Sequence, residues 1–189
     1  MAIPCYVSGK GMYASDVTWN FKVSVITALE ASGLGYDTRF RYYRNRFPDL
    51  STHDLARKVC DPIEYYDTDW PPYFESVRET QTEAEAATRF MLERDLRFQA
   101  AARVAIYCFD EAGFGSGVNC MRFLCAGKPI LGFYHPDHLV RGLNLSNILQ
   151  LSVAFPDLVH LKVYSNPTEL SEYATTWLDS MPSLVDSAS

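Results

Sequence analysis

The sequence has no apolar run near the ~20 residues that a membrane-spanning helix needs. Its opening stretch, Met1 to Tyr13, lacks the basic patch and apolar core of a secretion signal. It has no CxxC pair, and its five cysteines, Cys5, Cys60, Cys108, Cys120 and Cys125, are odd in number and scattered. That pattern disfavours a disulfide framework and suits reduced thiols, so a cytoplasmic protein without a membrane partner is expected. Histidine is scarce, and His135 and His138 flank Pro136 rather than sharing a helix face, so no metal site is expected. Positive charge is in deficit: 17 Lys and Arg face 23 Asp and Glu, a net charge of -6, which argues against a nucleic acid polymer as partner. The glycine-rich stretches match neither a Walker loop, because no Gly-Lys-Ser/Thr follows, nor a GxGxxG dinucleotide fingerprint with an acid about 20 residues on. No cofactor is therefore expected.

The 189 residues, 48% of them hydrophobic, suit one domain, expected over residues 1–182, with a polar, frayed tail at 183–189. Ile3 to Ser8 reads as a strand broken by Gly9 and Gly11, followed by a helix capped by Ser15 or Asp16. Phe21, Val25, Ile26 and Leu29 give that helix one apolar face, and Ser32-Gly33-Leu34-Gly35 ends it. Thr82 to Ala102 is the strongest helical stretch, with Ala84, Ala87, Met91, Phe98 and Ala102 on one track. Asp95 falls on that track: either it has a partner or a task there, or the helix breaks near Arg94 and leaves it as an exposed cap. Val104 to Phe109 reads as a buried strand. A helix from about Val118 to Ala126, a strand at Ile130 to Tyr134, and a last strand (Leu158 to Tyr164) and helix (inner face Leu170, Tyr173, Ala174, Trp177) follow. Such β-loop-α-β units imply an α/β fold, a single Rossmann-like domain with a mostly parallel sheet of about five strands flanked by helices.

Residues 36–81 carry weak periodicity. Arg39, Arg41, Arg44 and Arg46 alternate with Phe40, Tyr42, Tyr43 and Phe47, and Tyr65, Tyr66, Trp70, Pro71, Pro72, Tyr73 and Phe74 follow. The segment reads as long and irregular, with short helical pieces such as Ser51 to Cys60. It is either functional or a surface loop packing its own aromatics. The arginines either clamp a phosphate beneath stacking aromatics or pair with Asp49, Asp54 or Asp61 at the surface.

Ligands of open parallel sheets bind beyond the carboxyl ends of the strands. Two such ends are glycine-rich here: Ser8-Gly9-Lys10-Gly11, and Asp110 to Gly117. Gly115-Ser116-Gly117-Val118-Asn119 followed by Ala126-Gly127-Lys128-Pro129-Ile130-Leu131 resembles the signature stretch of the nucleoside 2-deoxyribosyltransferase family, which includes related nucleotide N-glycosidases. Pro136-Asp137 and Asn144-Leu145 continue the match, and Cys5-Tyr6-Val7-Ser8-Gly9 resembles the family's first strand. The likeness spans most of residues 3–150, apart from 36–81.

The resemblance implies cleavage or exchange of a base-sugar bond in a nucleoside or nucleoside monophosphate. Tyr6, Asp95 and Asn119 would stand at the catalytic positions, with Asp95 facing the departing base. Ser8, Gly9, Gly115, Ser116, Gly117 and Asn144 would line the substrate site. It also implies a homodimer or higher homo-oligomer, because the residue matching Asn144 reaches a neighbouring subunit's site. The chain departs from the pattern at the nucleophile, where the family's glutamate is Asn119, and just before the glycine stretch, where an acid is Gly113. A neutral amide is a poor nucleophile for glycosyl transfer. Three explanations stand open: altered chemistry through Glu111 or Asp110, a binding module that has lost catalysis, or an engineered change. Tyr6 as packing, Asp110 and Glu111 as solvated strand-end residues, and Asn144 as a turn residue are the structural alternatives.

Overall fold

The computed structural model describes residues 2–10, 14–60, 62–138 and 145–181; Asn144 and the tail 183–189 lie outside the described residues. Five strands form one all-parallel sheet: β1 (Ile3–Ser8), β2 (Gly35–Asp37), β3 (Val104–Cys108), β4 (Ile130–Tyr134) and β5 (Val159–Val163). Their order is β2-β1-β3-β4-β5. This is the α/β fold expected, and β1 and β3 are neighbours as expected, with Tyr6 opposite Ala105 and Ser8 opposite Tyr107. The chain order reverses between β1 and β3, the topological switch point at which such sheets leave a crevice.

Residue alternation divides the core. Cys5 and Val7 point to one face, with α1 (Asp16–Ser32), α3 (Thr52–Cys60) and α8 (Pro167–Asp179) packed there. Tyr6, Ala105 and Tyr107 point to the other, under α5 (Glu83–Ala101), α6 (Phe114–Cys125) and α7 (Leu145–Ala154). Helix ends follow local chemistry. The Ser15 side chain accepts from Val17 N at the start of α1, and Gly33 closes it at φ 69°, a left-handed turn that glycine adopts without penalty. Thr82 and Glu85 form a reciprocal capping box on α5.

Residues 36–81 are not irregular. They form β2, α2 (Thr38–Arg46), α3 and α4 (Pro62–Val77). The buried Asp37 carboxylate starts α2 by accepting from the Arg39 and Phe40 amides, a tertiary contact that periodicity cannot carry. Helix α5 runs unbroken through Arg94 and Asp95, so Asp95 is no cap. Its buried stripe is Ala86, Phe90, Arg94, Phe98 and Gln99, rotated from the expected track, and Ala84 is exposed. The buried face of α8 is Leu170, Ala174 and Leu178; Tyr173 is exposed. Helix α6 begins at Phe114, so Gly115, Ser116 and Gly117 are its first turns and not a loop.

Candidate functional site

A cavity of about 270 Å³ opens at the carboxyl ends of β1 and β3. Strand β1 and the turn after it contribute Tyr6, Ser8, Gly9 and Lys10 to its wall; α5 contributes Met91, Arg94 and Asp95; the start of α6 contributes Gly113, Gly115, Ser116 and Asn119. Tyr6, Ser8, Gly9, Asp95, Gly115, Ser116 and Asn119, all read from the sequence, therefore share one cavity. Gly117 does not: it faces an adjoining apolar groove with Phe114, Val118 and Met121. Sequence reading missed Lys22, Cys60, Met91 and Arg94 as lining residues, whereas Arg39, one of the arginines offered as a clamp, is among them.

Tyr6 is 3% exposed, its ring stacked on Phe123 at 5.8 Å with the Arg39 guanidinium 4.8 Å from its centroid. Its hydroxyl donates to Asp95 Oδ1 at 3.5 Å. Burial, then the Asp95 charge, raises the phenol above its ordinary value, so it stays a donor. Tyr6 is thus both packing and cavity wall. Asp95 also accepts from Arg94 Nη1 at 3.3 Å, so the acid on the helix stripe has partners. The Asn119 side chain is oriented by Arg122, whose Nη1 donates to Asn119 Oδ1 at 2.9 Å. Among the described residues the amide NH2 of Asn119 has no acceptor.

Asp110 and Glu111 do not line the cavity. Asp110 is fully buried and accepts from the Tyr164 hydroxyl and from His135 N, tying β3 to β4 and β5. Glu111 accepts from Thr18 Oγ1 at 2.6 Å and Ser15 N at 3.0 Å. These bonds outweigh its partial burial and hold its carboxyl below the usual value. Both acids are structural ties, not the solvated ends expected. Asp95 is the one carboxylate among the described lining residues.

The arginine cluster divides. Arg39 alone reaches the cavity, paired with Asp37 at 3.1 Å and donating to the Val7 carbonyl. Burial opposes its charge, but Asp37 outweighs that and keeps it ionised. Arg41 lies over the Tyr36 ring, Arg44 donates to the Leu50 carbonyl at 2.6 Å, and Arg46 pairs with Asp69 at 2.6 Å. Trp70 stacks on Phe74, and both it and Tyr73 pack on Phe90 of α5. Trp70, Tyr73 and Phe74 thus buttress α5 and are not among the cavity's described lining residues; the side chains of Tyr65 and Tyr66 lie outside the described residues. Among the described residues, no group of three or more His, Cys, Asp or Glu could hold a metal ion.

The glycines differ in kind. A Cβ on Gly9 would lie 2.9 Å from Thr18 Cγ2 and 3.2 Å from Cys108 Cβ, so packing demands glycine there. A Cβ on Gly113 or Gly115 would meet nothing within 4 Å. Their absent side chains leave open space on the cavity side. A scan against protein-family models finds no match to this chain, and no curated protein matches it.

Proposed function

We propose that the cavity binds a nucleoside-class ligand and that the chain does so without the covalent glycosyl-transfer step of the family it resembles. The observation that carries this reading is the convergence of Tyr6, Asp95 and Asn119, from β1, α5 and α6, on one cavity at the β1–β3 switch point. Tyr6, Asp95 and Asn119 supply donors and an acceptor suited to a base edge and sugar hydroxyls. The Asn119 oxygen is held by Arg122, and Asp110 and Glu111 are spent on structural bonds, so among the described residues Asp95 is the one carboxylate lining the cavity. A retaining mechanism requires two carboxyl groups about 5 Å apart.

A second reading, hydrolysis of the N-glycosidic bond with Asp95 as proton donor or acceptor, is favoured by the placement of that carboxylate against Tyr6. One experiment separates the two. The protein is titrated calorimetrically with a panel of nucleosides and monophosphates, and free base is followed by chromatography with and without an acceptor base. Binding without base release supports the binding module, and base release supports the enzyme. Neither binding nor release refutes both. Base release appearing only in Asn119→Glu identifies the nucleophile as the missing part.

A further inference from the structure

We propose that Gln99 is a positioning residue of this site: its carboxamide donates to the Tyr6 oxygen from behind and turns the phenol's one proton onto Asp95, so that the pair presents only acceptors to a ligand. The ligand edge that fits carries a hydrogen-bond donor, such as the exocyclic amino group of a nucleobase. This role rests on the nucleoside reading above and adds a selectivity to it.

Gln99 follows Asp95 by one turn of α5, so the two side chains share a face of the helix. It is only 5% exposed and belongs to the buried stripe with Phe98. Among the described residues neither its Nε2 nor its Oε1 meets a hydrogen-bond partner. A buried carboxamide in that condition costs free energy that Leu or Met would not, and such exceptions call for a reason. Fraying of the helix end is not the reason. Lys128 Nζ donates to the carbonyls of Gln99, Ala100 and Ala102 at 3.0, 3.1 and 2.6 Å, and Thr38 Oγ1 donates to the Phe98 carbonyl at 3.0 Å. The backbone that carries Gln99 is therefore clamped.

The carboxamide faces Tyr6. Burial and then the Asp95 charge raise the phenol, while Arg39, Arg94 and the approach of Gln99 pull it back. A neutral group that favours the phenolate does so by donating to its oxygen, so Gln99 turns its N–H groups that way. The Tyr6 ring is held by Phe123 on one side and the Arg39 guanidinium on the other. The freedom left to the phenol is the direction of its proton. Asp95 Oδ1 stands 3.5 Å from the hydroxyl, beyond the usual O–H···O range of about 2.5–3.0 Å, so a second contact is needed to fix that proton. The last torsion of a glutamine is soft, and a turn of the carboxamide completes the donation. The Tyr6 oxygen then accepts from Gln99, its proton goes to Asp95, and successive bonds in such a chain polarise one another. Gln99 is not among the described residues that line the cavity, so it acts through Tyr6. Without it the phenol proton can swing to an acceptor on the ligand.

Two pairs of nucleosides, each differing by one exocyclic amino group, test the relay by calorimetry: deoxyadenosine with purine deoxyriboside, and deoxycytidine with pyrimidin-2-one deoxyriboside. The proteins are the wild type, Gln99→Met, Tyr6→Phe and the double variant, with urea curves to check folding. Methionine matches glutamine in length and cannot donate. The wild type is expected to prefer the amino member of at least one pair by about tenfold or more, the worth of one hydrogen bond to a carboxylate. In Gln99→Met that preference should fall to roughly threefold or less, chiefly because the analogue lacking the amino group gains the freed Tyr6 proton. In the Tyr6→Phe background Gln99→Met should change nothing, since the residue acts through the phenol. No amino preference in the wild type, a preference that survives Gln99→Met, or the same loss in both backgrounds overturns the relay and leaves the nucleoside reading standing. If Tyr6→Phe does not fold, the single variant decides: equal weakening of both members of a pair by Gln99→Met marks a packing role and overturns the relay. No binding of any of the four nucleosides overturns both.

Discussion

Replacing Lys22 by methionine should make the protein more stable. Burial lowers the Lys22 ammonium from 10.5 to about 8, and at ~1.4 kcal/mol per decade its charge costs the folded state on the order of 3 kcal/mol at neutral pH. Lys22 Nζ donates to the Lys10 carbonyl at 2.6 Å; loss of that hydrogen bond offsets about 1 kcal/mol, and Lys10 itself is half-buried, so water can reach it. A net gain of about 2 kcal/mol at pH 7 follows, which for a typical urea slope of about 2 kcal/mol/M moves the denaturation midpoint up by ~1 M. The gain has a pH signature. Between about 8 and 10.5 the unfolded chain keeps the lysine proton and the folded chain has released it, so wild-type stability rises with pH relative to the variant. The gap should be full at pH 7 and closed near the unfolded lysine's value of 10.5. Urea curves of both proteins at the two pH values measure it. A methionine variant less stable than the wild type at pH 7, or a gap independent of pH, would refute the reading of Lys22 as a buried charge whose desolvation outweighs the pull of Asp37.

Four further outcomes follow from the same contacts. Gly9→Ala drives a Cβ against Thr18 and Cys108 and should destabilise by about 1–3 kcal/mol in thermal or urea unfolding. Gly115→Ala meets open space inside a helix and should stabilise by roughly 0.5–1 kcal/mol, while lowering ligand affinity in calorimetry because the new methyl enters the cavity. Asp95→Asn should weaken the bound nucleoside about tenfold or more, the loss of one charge-assisted hydrogen bond; unchanged affinity would place the base elsewhere. Burial holds the Cys108 and Cys120 thiols up at about 12 against an ordinary 9.0. Because the folded values exceed the unfolded ones, that stability is complete below about pH 8.5 and is lost as pH rises toward 12, so the melting temperature of Lys22→Met should fall steadily from pH 9 to 11.

Much of the architecture was legible from local pattern. The strands β1, β3, β4 and β5, the helices α1, α5 and α8, and the adjacency of β1 and β3 follow from short apolar runs and crossover logic. Within the segment 36–81 the helical piece expected over Ser51 to Cys60 is α3 (Thr52–Cys60), but the rest was not legible, because what orders it is distant. Asp37 caps α2 yet also accepts the Val7 amide at 2.8 Å, and Trp70 and Tyr73 find their partner in Phe90 of α5. The start of α6 was misplaced because three glycines in five residues read as a loop, whereas in the fold Gly113 is the cap and Gly115 and Gly117 occupy the first turns.

The sequence alone therefore determined an α/β layer structure and the positions that reach the end of the sheet, since strand alternation and helix periodicity are short-range properties. It marked Tyr6, Ser8, Gly9, Asp95, Ser116 and Asn119 one by one. Tertiary structure decided which of them share a cavity, and it excluded Gly117 by the turn of a helix. It also decided the charge of the site. Arg41, Arg44 and Arg46, conspicuous in the sequence, are engaged outside it, while Lys22, hidden among apolar neighbours, lines it. Charge balance is a sum over neighbours brought together from distant positions, and no local window of sequence contains that sum.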